Sequence, residues 1–162
     1  MLPAMTAAAR RSAAEQARLD NLLTSLFEQQ IRFNQVLGLK LIQMHPPTLR
    51  FDMRPELIGH HLYGRLHGGV ISATLDAMGG LALMWAIGEK HADETSQQVL
   101  HRFLRLGTID LRVDYLRPGL GKHFVASAEV VRLGGRVGTT QMRLVNDEGM
   151  LISTATGAYV VS

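Results

Sequence analysis

Apolar positions recur with two periods along the chain. Leu19, Leu22, Leu23, Leu26 and Phe27 follow three- and four-residue spacing, with Asp20 and Asn21 near the start. This predicts an amphipathic helix running to about Leu37, with Gly38 as its stop. Residues 39–44 read as a short strand and Pro46-Pro47 as a turn. Leu49, Phe51 and Met53 alternate with Arg50 and Asp52 in a second strand that Pro55 ends, and residues 56–66 read as a loop. From Gly68 to Gly88 the run GGVISATLDAMGGLALMWAIG is apolar on nearly every face of a helix. The polar stretch 89–106 leaves room for one or two helical turns. Period two then returns in four strands: 108–115, 124–130, 136–146 and 150–161, the last pairs joined by Leu133-Gly134-Gly135 and Asn146-Asp147-Glu148-Gly149.

This order predicts an α+β fold, an antiparallel sheet wrapped around one long central helix, with an extra N-terminal helix. A sheet covers one side of that helix only, so a second surface is expected on the other, most economically a second copy of the chain. A helix over Gly68–Gly88 is about 30 Å long, enough to cross a bilayer. Asp76 near its middle, its glycines and the lack of a strong basic anchor assign it instead to a protein core, without stable membrane insertion.

A length of 162 residues fits one domain, expected over 19–162, after an Ala- and Arg-rich extension over 1–18 that is flexible or helical. That extension lacks the apolar run of a secretory signal, so the cytoplasm is the expected compartment. With 46% hydrophobic and 19% charged residues, a mainly disordered chain is excluded. The absence of cysteine excludes disulfide scaffolds, thiolate zinc sites and a cysteine nucleophile. The net charge of +3 comes from 17 basic and 14 acidic residues, scattered without a basic stripe. No nucleic-acid motif accompanies them, so nucleic acid is not an expected partner.

His67-Gly68-Gly69 stands where the loop enters the long helix. A helix start carries unpaired N–H groups and partial positive charge, and glycine lets a ligand oxygen approach the backbone. The arrangement suits an oxyanion, and equally suits a tight turn with a capping histidine. Asp76 is the sole ionisable residue between His67 and Glu89. A buried carboxylate is costly unless paired or functional, so it is either a reactive acid or one bonded to backbone. Nine residues at 100° each put it about half a turn round from His67 and roughly 13 Å along. One chain therefore does not bring both groups to one carbonyl, whereas two antiparallel helices in a dimer do.

The run His67-Gly68-Gly69-Val70-Ile71-Ser72-Ala73-Thr74-Leu75-Asp76 resembles the H-G-G-x(6)-D signature of the PaaI-like hotdog-fold acyl-CoA thioesterases. With LHGGVI (Leu66 to Ile71) and GTIDLRVDYLRPG (Gly107 to Gly119), the likeness is to the bacterial YigI group within them, over about residues 33–161. The resemblance implies a hotdog fold and hydrolysis of an acyl-CoA thioester at a site between two subunits, in a homodimer or a dimer of dimers. It implies Asp76 as general base or nucleophile, Gly68 as an oxyanion N–H donor beside His67, and Thr108 as a residue that positions water. Many relatives carry an asparagine six residues before the motif histidine. Here His61 stands there, preceded by His60, and either replaces the amide or lies in a rearranged loop.

Coenzyme A, as part of the substrate, is the sole cofactor-like group implied, and no metal is required. Its phosphates call for cations, for which Arg117, Lys122, Arg132 and Arg136 are candidates around the loops joining the last strands. Gly69 is a further binding candidate beside them. Met84 and Trp85, with Met78 and Leu81, are candidates for the acyl wall, and equally ordinary core residues. Gly79-Gly80 either leaves space beside the catalytic helix or permits close packing. Two other functions share this frame: a noncatalytic acyl-CoA-binding module and a hotdog hydratase or dehydratase. Asp76 argues against the first, and the lack of a separate hydratase motif against the second.

Overall fold

The computed structural model describes residues 10–162. Helix α1 (Ala13–Ser25) begins where the Ser12 hydroxyl accepts a hydrogen bond from the Glu15 N–H at 3.2 Å, and it buries Leu19 and Leu23, one turn apart. The helix thus starts before Leu19, and part of the expected extension is helical; residues 1–9 lie outside the described residues. It is also not continuous to Leu37. A π-turn spans Leu26–Gln30, with the Ile31 N–H donating to the Leu26 carbonyl at 3.0 Å, and α2 (Arg32–Leu37) follows an extended Ile31. One wide turn shifts the apolar phase by a single residue, which three-and-four spacing does not register. Gly38 ends α2 in the left-handed conformation, φ 73°.

The strands are β1 (Lys40–Met44), β2 (Pro47–Asp52), β3 (Ile58–His60), β4 (Arg65–Leu66), β5 (Gly107–Tyr115), β6 (His123–Leu133), β7 (Val137–Asn146) and β8 (Leu151–Val160). Between β4 and β5 come α3 (Gly68–Lys90) and α4 (Ser96–Arg102). Six strands form an antiparallel sheet in the order β1-β2-β6-β7-β8-β5, so β1 and β5 are its edges. The segment 56–66, expected as a loop, holds the small β3–β4 hairpin, whose strands are too short to show a period of two.

The inward positions of β2, β6, β7 and β8 bury Leu49, Phe51, Phe124, Ala126, Met142, Leu144 and Ala155 beneath α3. Phe51 and Phe124, paired across β2 and β6, stack at 5.2 Å. Over its C-terminal half α3 meets a second apolar surface within the same chain: Leu19 and Leu23 of α1, Val99 of α4 and Phe103 pack on Leu83, Met84 and Ile87. The all-round apolar character of that half is thereby explained without a partner. Val70, Ala73 and Ala77, in the N-terminal half, are only partly buried, and the expectation of outside cover narrows to them. Although long and apolar enough to cross a membrane, α3 is mostly buried inside the fold.

Arg11 ties the start of α1 to the end of α3. Its guanidinium donates to the Gly88, His91 and Glu94 carbonyls at 2.9, 3.2 and 2.7 Å, meeting carbonyls that a helix end leaves unpaired.

Candidate active site

Asp76 lies more than two turns into α3, half-buried, beside the start of β5. Its Oδ1 accepts a hydrogen bond from the Thr108 hydroxyl at 2.8 Å. Two of the expected site residues are thus joined within one chain. Tyr159, opposite Thr108 across β5 and β8, donates its phenol to the Asp76 backbone carbonyl at 3.2 Å. Burial, reinforced by the Asp76 carboxylate, pushes the Tyr159 phenol well above its ordinary value and keeps it a donor.

Asp76, Thr108 and Tyr159 border a cavity of about 320 Å³ between α3, the N-terminal helical segment and the start of β5. Its apolar wall includes Phe27, Ile31, Phe33, Ala77, Gly80, Leu81, Met84 and Leu106. Asn34, buried, also lines it and donates from Nδ2 to the Phe27 carbonyl at 3.0 Å, holding the wall across the π-turn. Met84 therefore sits where an acyl-wall residue is expected, and Trp85 does not. Successive helix residues diverge by about 100°. Trp85 turns away, donating from Nε1 to His45 Nδ1 at 3.1 Å, while His45 Nε2 pairs with Asp20 Oδ2 at 2.8 Å.

At the start of α3 the His67 ring acts as the N-cap, Nδ1 accepting from the Gly69 N–H at 2.9 Å. That bond places the neutral ring's proton on Nε2 and occupies the Gly69 N–H. Gly68, at the first helical position, has no intrahelical acceptor for its own N–H. Tyr115, the last residue of β5, donates its hydroxyl to the Gly68 carbonyl at 3.2 Å. Arg65, Gly68, Tyr115 and Arg117 line one depression of about 390 Å³, separate from the Asp76 cavity. Within one chain Gly68 and Asp76 stand about 12 Å apart along the helix, at ~1.5 Å per residue, as their spacing requires.

The remaining expected residues divide. His61 is exposed in the β3–β4 turn, its ring stacked on His60 at 5.6 Å, and it borders neither cavity of its own chain. The four cations do not form one cluster. Arg117 and Lys122 belong to the β5–β6 loop, while Arg132 and Arg136 flank the far end of β6. A strand of 11 residues at ~3.3 Å each separates the two pairs by about 30 Å. Nearness of both loops in sequence hid the length of the strand between them.

Sequence reasoning missed Tyr159, Tyr115, Arg65 and the wall from Phe27 to Asn34. Tyr115 and Tyr159 read as alternating strand positions, and only the packing of β5 and β8 against α3 gives their hydroxyls a partner. Arg65 had a usable signal, lying two residues before the HGG motif.

The family model described as "Thioesterase superfamily" matches residues 63–153. The chain is 37% identical over 150 residues to the medium/long-chain acyl-CoA thioesterase YigI of Escherichia coli (strain K12), covering 91% of this chain and 96% of that one. The crystal structure of a Shewanella oneidensis protein related to the thioesterase superfamily superposes with a TM-score of 0.85 at 35% identity, over 94% of this chain and all of that one. The fold is shared at 20% identity with BH2602 of Bacillus halodurans, solved with CoA, at a TM-score of 0.58 over 93% of this chain and 92% of that one. Fold, matched segment and full-length likeness agree: the chain is a hotdog-fold member of the thioesterase superfamily.

Proposed function

We propose that the chain hydrolyses acyl-CoA thioesters to a carboxylic acid and free CoA, at two equivalent sites each shared by two copies of the chain. The observation that carries this reading is what stands at the two ends of β5. Thr108 at one end bonds the Asp76 carboxylate, and Tyr115 at the other bonds the Gly68 carbonyl. β5 is a sheet edge with its outer ladder unpaired in one chain. Antiparallel pairing of two such edges about a two-fold axis near Leu111 and Arg112 sets Thr108 of one chain close to the partner's Tyr115. Asp76 then faces Gly68 of the partner subunit, and the partly buried flank of α3 gains its cover.

The chemistry follows from these groups. Asp76 takes a proton from water while Thr108 fixes the carboxylate through Oδ1. The water oxygen bonds to the thioester carbonyl carbon, and the charge that moves onto the carbonyl oxygen meets the partner's Gly68 N–H and the positive end of its helix. The carbon–sulfur bond breaks, and the sulfur leaves as a thiol with the proton that Asp76 held. Arg65 and Arg117, beside Gly68, supply cations for the phosphates of CoA. Likeness to relatives named as acyl-CoA thioesterases supports the choice of thioester.

Complementation tests the shared site. Asp76→Asn removes the base. Gly68→Pro removes one N–H at a first helical position, where proline fits, and a Cβ there meets Tyr115 at an ordinary 3.5 Å. Each variant alone should release almost no thiol from acyl-CoA. Mixed and reassociated in equal amounts, half of the dimers are hybrids with one intact site of two, so activity returns to roughly a quarter of wild type. No recovery from folded, exchanging chains overturns the shared site; near-normal hydrolysis by folded Asp76→Asn overturns its role as base.

A further inference from the structure

Two adjacent glycines on α3 answer to different constraints. A Cβ on Gly79 would fall on the Tyr159 hydroxyl and 2.6 Å from Met142 Sδ, so packing on the sheet requires bare backbone there. A Cβ on Gly80 would meet only Leu106 Cδ2, at an ordinary 3.6 Å. Glycine inside a helix is less stable than alanine, and no neighbour of Gly80 demands it. What Gly80 does border is the cavity that holds Asp76. Gly80 and Met84 follow Asp76 at the fourth and eighth positions, so the three mark one side of a channel about 12 Å long at ~1.5 Å per residue. Phe27 and Ile31, brought there by the π-turn, and Leu106 supply further wall.

We propose that this channel takes the acyl chain and that the missing side chain at Gly80 sets how long a chain enters, an inference that rests on the thioesterase reading above. An extended polypeptide advances about 3.5 Å over three bonds, so a hydrocarbon needs about ten carbons to run the ~12 Å from Asp76 to Met84. The Asn34 Nδ2 and the Tyr159 phenol are bonded to backbone carbonyls, and most of the lining beyond Asp76 and Thr108 is apolar. The occupant is therefore an apolar hydrocarbon chain of medium length. A methyl at Gly80 enters the channel about 6 Å beyond Asp76, past the reach of a four-carbon chain and in the path of a ten-carbon one.

Hydrolysis of butyryl-, decanoyl- and hexadecanoyl-CoA by wild type, Gly80→Ala, Gly80→Val and Met84→Ala tests the assignment. A single methylene in an apolar pocket is worth about tenfold or more in discrimination. The decanoyl-to-butyryl ratio of kcat/KM should fall about tenfold in Gly80→Ala and further in Gly80→Val. Met84→Ala, at the far end, should raise the hexadecanoyl-to-decanoyl ratio. Gly80→Ala has room for its methyl and should melt at or above the wild-type temperature, which separates a selectivity change from misfolding. An unchanged decanoyl-to-butyryl ratio in folded Gly80→Val overturns the channel and leaves the thioesterase reading standing. A wild type that hydrolyses none of the three thioesters overturns both.

Discussion

Gly79→Ala tests whether contact between α3 and the sheet fixes the Asp76 backbone. In an unconstrained helix this change stabilises by about 1 kcal/mol. Here the new methyl would fall on the Tyr159 hydroxyl, 2.6 Å from Met142 Sδ and 2.9 Å from Thr140 Oγ1. Overpacking of this kind costs about 1–3 kcal/mol, and displacing Tyr159 from the Asp76 carbonyl removes a hydrogen bond worth about 1 kcal/mol. The helix gain offsets part of this, so the net loss is about 1–3 kcal/mol, or roughly 3–10 °C in Tm for a chain of this size. Thermal unfolding followed by circular dichroism reads the shift. The double variant Gly79→Ala/Tyr159→Phe removes the nearest obstructing atom, and should be more stable than the two single effects sum to by about 1 kcal/mol. A Tm increase in Gly79→Ala equal to that of Gly80→Ala would refute the reasoning, because the two glycines would then be interchangeable.

Two further outcomes are expected. His61→Ala should lower turnover at least about threefold if the ring serves the partner's thioester in place of an amide; unchanged kinetics remove His61 from the site. Hydrogen bonds from the Ser96 hydroxyl and N–H, at 2.6 and 2.8 Å, hold the Glu15 carboxyl below its ordinary value of 4.5. The folded state therefore binds fewer protons at this group than the unfolded state, and its contribution is full above that ordinary value and lost as pH falls through the lowered one. The Tm difference between wild type and Glu15→Gln should be widest at neutral pH and shrink below about 4.5; a difference constant with pH refutes the account.

Most of the fold was legible because its strands are half-buried and its turns carry their own residues. Six strands and a core helix bounded by His67 follow from alternation, from glycine-rich turns and from one long apolar run. The broken N-terminal helix was not legible, since an extra residue in one turn leaves apolar spacing nearly intact while rotating everything after it. In the site, Asp76 and Thr108 could be named from the sequence, the latter through family likeness alone. Their contact could not, because it depends on the register of β5 against α3. Trp85 points to His45 and not to the Asp76 cavity that Met84 borders, and hydropathy alone does not say which apolar helix positions line a cavity. The cation cluster failed on distance, since loops that succeed one another in an antiparallel sheet lie at opposite ends of a strand.

The proposed chemistry and the proposed acyl selection therefore fall to different parts of the chain. Asp76, the proposed base, and its hydroxyl partner Thr108 sit on α3 and β5, whose relative position is held by the sheet and by Tyr159 wedged beneath Gly79. Phe27, Ile31, Phe33 and Asn34 of the cavity wall come instead from the π-turn and α2, which form no part of the sheet. The N-terminal helical segment is held by Leu19, Leu23, Phe27 and Leu37 packed into the core and by polar contacts from Arg11 to the end of α3 and from Ser96 to Glu15. If the cavity holds the acyl chain as proposed, a substitution at Phe27 or Ile31 should change what it accepts without moving Thr108 against Asp76, whereas a substitution at Gly79 strikes the support of Asp76. On the proposed reading, acyl preference can thus change while the Asp76–Thr108 pair stays in place.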